Sequence, residues 1–197
     1  MTGKGMAMGA GARTIGRMKP GLLRGAVLSA ALLGLASCTE TPKQSMPCPV
    51  VKQVPDATYL TRFAGESEDL TDTAFEARLA GVQPMCKYIV DDDTQKTKIE
   101  SDILVKILAS RGPKLTEDKV TFNYVIALTG RGGQKLTRQQ FDVTIPLTAD
   151  KPSAQIVDNP MVTIPLKKGE NGDFYQIYVF LEVTEKELAY NRRNPQQ

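Results

Sequence analysis

The chain has 197 residues, 25 basic and 22 acidic side chains, three cysteines, no histidine and no tryptophan. That length holds one domain with appendages, and 41% hydrophobic with 24% charged residues is the composition of a globular chain. The lack of histidine excludes Ser-His-Asp and Cys-His triads, histidine-ligated zinc or iron, and imidazole acid–base chemistry.

The formal net charge of +3 is unevenly spread. Residues 1–37 hold Lys4, Arg13, Arg17, Lys19 and Arg24 and no acid; the remainder has twenty bases against 22 acids, a net of −2. A basic chain invites nucleic acid as a partner, but the excess sits in a segment with the marks of a leader. Residues 25–36, GAVLSAALLGLA, are apolar over about a dozen positions, short of the roughly 20 a membrane-spanning helix needs. A basic start, a short apolar core and then small residues form the pattern of a secretory signal. Met18-Lys19 also makes a compact start for such a signal.

The run closes on Leu35-Ala36-Ser37-Cys38. This resembles the lipobox of bacterial lipoproteins: an aliphatic residue, two small residues, then cysteine. The resemblance implies cleavage between Ser37 and Cys38, lipidation of the Cys38 sulfur and anchorage of the mature chain in a membrane. Thr39 in place of an aspartate points to the inner leaflet of the outer membrane, facing the periplasm, ahead of the inner membrane. The body resembles small proteobacterial envelope lipoproteins in which a Cys-Pro segment and a proline linker precede a compact β domain, which implies an address and an architecture and no activity.

Residues 38–56 include Pro42, Pro47, Pro49 and Pro55 and are expected to form a lipidated, extended tether with no regular element. With Cys38 lipidated, Cys48 and Cys86 remain, and an even pair in an oxidising compartment reads as a disulfide; the alternative is two free thiols, or a thiol kept for redox or metal chemistry.

From residue 57 the hydrophobic period is two. It runs through Phe75–Leu79, Ile99–Ile107, Val120–Leu128, Phe141–Leu147, Val162–Leu166 and Tyr175–Val183, as half-buried strands do. Gln83-Pro84, Asp91-Asp92-Asp93, Arg111-Gly112-Pro113, Gly130 to Gly133 and Gly169 to Gly172 supply the breaks. Six to eight strands without intervening helices predict an all-β, antiparallel β-sandwich over residues 57–190, of immunoglobulin or fibronectin-III type in architecture only, since no Cys…Trp…Cys pattern is present. Thr184–Glu187 fits a capping box that opens a short helical turn with Leu188 and Tyr190, and residues 191–197 are expected to be a frayed polar tail.

No catalytic residue emerges. Ser101 and Lys106 fall on opposite faces of one strand, and Glu100 and Asp102 share a face that solvent exposure explains. The aspartate run lacks the glycine and distal glutamate of a calcium loop, and Arg131-Gly132-Gly133 lacks the frame of a phosphate loop. We expect no bound metal and no cofactor. One strand is unusual: opposite its core face it still carries Phe174, Tyr178 and Phe180, where polar residues belong. Either the terminal turn covers them with Leu188 and Tyr190, or they dock an envelope protein partner. The expectation is a non-enzymatic interaction or assembly module, with a small-ligand or glycan-binding domain, its pocket built from loops and Tyr88, as the alternative.

Overall fold

In a computed structural model of the chain, residues 46–195 are described; the segment expected to be a signal, with Ser37 and Cys38, lies outside them. Among the described residues, nine strands form two sheets: β1 Val50–Gln53, β2 Tyr59–Phe63, β3 Thr73–Val90, β4 Thr97–Arg111, β5 Lys119–Thr129, β6 Lys135–Pro146, β7 Ser153–Asp158, β8 Met161–Pro165 and β9 Gln176–Leu181. One helix, α1 Glu185–Arg193, closes the domain. One sheet has the order β1-β9-β5-β6; the other is β2-β3-β4-β7, with β8 also on β4. β7 and β8 pair with consecutive stretches of β4 and act as one edge, interrupted at Asn159-Pro160. The two-sheet, all-β sandwich is therefore as expected. Its strand order differs from that of an immunoglobulin domain, because β2, β3 and β4 lie side by side in chain order.

The alternation read from the sequence builds the core. Leu60, Phe75, Ile103, Ile107, Phe122, Tyr124, Ile145, Ile164, Ile177 and Leu181 belong to a single buried cluster between the sheets. Tyr124 stacks on Phe141 at 4.9 Å and donates its hydroxyl hydrogen bond to Asp158 Oδ2 at 2.6 Å, so the break in the β7–β8 edge supplies the acceptor a buried phenol requires.

Several expectations need correction. The proline-rich stretch is not wholly irregular. Val50–Gln53 pairs in parallel with β9, the one parallel pairing among the described strands, and Pro55–Ala57 forms a 3₁₀ turn with proline at its first turn, where its missing N–H costs nothing. Gln83-Pro84 does not end a strand. β2 pairs only with Thr73–Arg78 of β3, so the second half of β3 is a sheet edge, where proline's lost donor is tolerated. A register shift between Leu79 and Gly81 moves the core-facing parity from odd to even positions there. Tyr59–Phe63 and Ser153–Asp158 are strands the periodicity did not reveal.

The tail is not frayed at its start. Asn191 is 1% exposed; its Nδ2 donates to Asp56 O and Tyr59 O, both at 2.8 Å. The capping box forms as expected, Glu187 N donating to Thr184 Oγ1 and Thr184 N to Glu187 Oε2. α1 packs on β2 and the Pro55–Ala57 turn, with Tyr190 edge-on to Phe63 at 5.2 Å. The helix therefore does not cover the aromatic face of β9. Pairing and packing thus carry the domain past both 57 and 190, taking in β1 and the last turn of α1.

Cys48 and Cys86 are disulfide-bonded with Cα atoms 5.9 Å apart. Cys86 lies on the edge half of β3 and Cys48 just ahead of β1, so the bridge joins the two sheets along one edge. Beside it the Tyr88 hydroxyl donates to Pro47 O at 2.6 Å and accepts from Gly172 N at 2.8 Å. A Cβ on Gly172 would collide with the Pro47 carbonyl. The loop before β9, the end of β3 and the entering chain are thus clasped together.

Candidate functional site

The three aromatics singled out on the last strand do not share one surface. β9 begins at Gln176, and Phe174 belongs to the preceding 3₁₀ turn, Gly172–Phe174. Its ring lies under the Arg131 guanidinium, 3.9 Å from carbon to centroid. Tyr178 and Phe180 do point outward from the β1-β9-β5-β6 sheet, alternating with buried Ile177, Val179 and Leu181.

Register assembles the outer face around those two. Val125 is opposite Phe180 on one side and Gln140 on the other; Ala127 is opposite Tyr178 and Arg138. Val125 is fully buried although it points outward, because half-buried Phe180 and the neighbouring long side chains lie over it. Polar contacts frame this apolar centre at both ends. Arg138 Nη2 meets Glu182 Oε1 at 2.7 Å and Asn123 Nδ2 donates to Glu182 Oε2 at 3.2 Å. At the other end Tyr178 OH and Lys52 Nζ both donate to Gln176 Oε1, at 2.7 and 3.1 Å. The Arg138 hydrogen bond, with help from Asn123, holds the Glu182 carboxyl below its usual pKa. The face is apolar at its centre and carries charged groups at both ends, Arg138 with Glu182 at one and Lys52 at the other.

A second feature opens where Phe174 went. A cleft of about 340 Å3 lies between the β5–β6 turn, β8 and the loop before β9, with Leu128, Leu136, Ile164 and Phe174 as walls and Arg131, Lys167 and Glu170 at its margin. That volume falls in the range of small-ligand sites. Glu170 Oε2 accepts from Tyr175 OH at 2.6 Å and from Lys167 N at 2.9 Å, which lowers the carboxyl pKa. Burial, reinforced by Glu170, pushes the Tyr175 phenol up to about 12. Both groups therefore keep their ordinary charge states near neutrality.

The remaining candidates resolve into structural roles. Asp91 Oδ1 accepts from the N and Oγ1 of Thr94, each at 2.7 Å, and shapes the acidic β3–β4 turn. Gly132 and Gly133 both have φ near +75 to +80°, as the β5–β6 hairpin demands of glycine. Glu100 sits between Lys87 at 2.9 Å and Lys98 at 2.8 Å. Ser101 is buried on the core face with its hydroxyl unpartnered, while Lys106 points the other way. Tyr88, expected in a ligand pocket, does line a recess with Lys96 and Leu166, but its hydroxyl is committed to the clasp. Three residues of the outer face, Val125 and the paired Arg138 and Glu182, are not among the sequence-based candidates. An apolar residue at an outward position of β5 was the signal available for the first, and none existed for the pair.

No family model matches this chain, and no curated protein does. Among solved structures, the variable domain of the AgI/II polypeptide BspA of Streptococcus agalactiae aligns over 68% of this chain and 78% of its own, at 11% identity and a TM-score of 0.21. A likeness that slight carries no functional argument.

Proposed function

We propose that this chain is a lipid-anchored envelope lipoprotein whose β-sandwich is a non-enzymatic interaction or assembly module, held at the periplasmic face of the outer membrane. The observation that supports the interaction role is the Tyr178–Phe180 face, apolar at its centre, framed by charge and left open by α1. The anchor rests on the Leu35-Ala36-Ser37-Cys38 motif and the basic, apolar segment before it. The chain between Cys38 and Cys48 reaches at most about 35 Å when stretched, so the module works close to its own leaflet.

Replacement of Tyr178 or Phe180 by a photo-crosslinking residue in cells should give one discrete protein adduct, and the same residue at Lys151 should give none. Phe180→Asp should abolish the adduct formed from position 178 while leaving the circular-dichroism spectrum unchanged. Adducts of equal yield from all three positions would refute the assignment of the face. For the anchor, Cys38→Ser should accumulate the uncleaved precursor; a variant still processed and still extracted only with detergent would refute lipidation at that residue.

The cleft beside Phe174 favours a second reading, a small-ligand or glycan-binding domain. Its apolar walls and marginal Arg131, Lys167 and Glu170 form the pattern such sites share. Leu136→Trp, at an exposed wall of the cleft, should leave crosslinking from Tyr178 intact under the first reading and abolish ligand-dependent thermal stabilisation under the second.

A further inference from the structure

The entering chain passes a second recess, of about 520 Å3, lined by Met46, Tyr88, Lys96, Leu166, Lys167 and Lys168 among others. Its position relative to the chain's entry is set by covalent and hydrogen-bonded links: the Cys48–Cys86 bridge and the Tyr88 hydroxyl between Pro47 O and Gly172 N. Met46, the first described residue, is 56% exposed at its rim. Among the described residues none of the three ammonium groups lies within 4.0 Å of a carboxylate. Glu170 is the acid of the recess, and its Oε2 is engaged by Tyr175 and Lys167 N. The recess therefore offers three cations against one committed carboxylate.

The strand directions place the turns around Glu66, Glu68, Asp69, Asp72, Glu117 and Asp118 at the opposite end of the sandwich, where Glu66, Glu68, Asp72 and Asp118 are paired with Lys186, Arg193, Lys114 and Arg111. An anionic surface attracts the unpaired lysines of the recess more strongly than that internally paired end. Cys38 precedes Met46 by eight residues, a reach of at most about 28 Å, so a lipid on Cys38 keeps headgroups at high local concentration beside the lysines.

We propose that this recess seats on the phosphate headgroups of the leaflet that holds the anchor, and so stands the sandwich upright with its opposite end away from the membrane. The inference rests on the lipid anchor at Cys38. The acidic turn Asp91-Asp92-Asp93 flanks the recess and opposes the attraction, so the contact is local to Lys96, Lys167 and Lys168.

The test uses the full lipidated chain in vesicles, either of phosphatidylcholine alone or of phosphatidylcholine with phosphatidylglycerol, and maps lysine acylation by mass spectrometry. Each surface lysine near an anionic leaflet contributes about a fivefold preference. Labelling at Lys96, Lys167 and Lys168 should fall about fivefold or more in the anionic vesicles and recover in high salt, while Lys119 and Lys151 stay unchanged. Lys167→Glu with Lys168→Glu should restore labelling of Lys96 without altering thermal unfolding, and Asp92→Asn with Asp93→Asn should deepen its protection. Equal labelling in both vesicles, with diacylglyceryl present on Cys38 by intact mass, overturns the docking and leaves the anchor standing. Equal protection by millimolar inorganic phosphate in neutral vesicles also overturns it, in favour of a small-anion site. An intact mass without lipid overturns the anchor itself.

Discussion

Reduction of the Cys48–Cys86 bridge should cost this domain much of its stability. The bridge spans a sequence separation of 38, a closed loop of about 39 residues, and the chain-entropy relation gives close to 4 kcal/mol at 25 °C for a loop of that size. Typical domains have only about 5–15 kcal/mol in total. The loss is not confined to the unfolded state. β1 has four residues, Val50–Gln53, paired along one side to β9, and without the bridge its attachment relies on that short ladder and the Tyr88 clasp. The double variant Cys48→Ala, Cys86→Ala, compared with the oxidised protein in urea unfolding followed by far-UV circular dichroism, should lose about 3–5 kcal/mol. Amide exchange in Val51 and Gln53 should accelerate well before that of Ile177. A loss under about 1 kcal/mol with unchanged β1 protection would refute the view that the bridge organises the sheet edge.

Three further outcomes are expected. Phe180→Ala should cost roughly 0.8–1.5 kcal/mol, about half the value of a fully buried phenylalanine, while Phe122→Ala should cost roughly 3–5 kcal/mol as a core truncation; equal losses in urea unfolding would show that Phe180 is covered after all. Asn191→Ala leaves the Asp56 and Tyr59 carbonyls short of a donor in a buried place and should cost about 1–3 kcal/mol, with protease cutting of α1 appearing first; an unchanged melting temperature refutes the view that Asn191 anchors the helix end. Stability should be flat across neutral pH, because no histidine titrates there. Glu100, Glu170 and Glu182 have lowered folded pKa values, so their contribution is complete above the ordinary glutamate value and is lost as pH falls through the folded ones. Tyr124 and Tyr175 are raised, the latter to about 12, so theirs is complete below about 10 and is lost as pH climbs above it. A stability inflection between pH 6 and 8, measured by thermal melts, would contradict this account.

Much of this molecule follows from local chemistry, which a sequence states directly. Alternation along β4, β5 and β9 reflects the two-residue period of a strand with one buried face, and Thr184 with Glu187 specifies a helix start within one turn of chain. The Cys48–Cys86 bridge is the pair that remains once Cys38 is set aside. Position along the chain also accounts for what could not be foreseen. Val50–Gln53 among prolines carries no periodic signal, and becomes a strand because β9, well over a hundred residues later, offers it an open edge. Pro84 sits inside β3 because β2 stops short. Asn191 is buried because the Pro55–Ala57 turn presents carbonyls to it. The proposed face divides along the same line. Tyr178 and Phe180 were legible as outward aromatics, but tertiary structure took Phe174 from them, sent α1 to the other sheet, and set Val125, Arg138 and Glu182 around the two that remain. Side-chain period is a property of the backbone and can be read one residue at a time. Which edge lies open and which face stays uncovered depend on how distant strands compete for partners, and that is decided only when the sheets close.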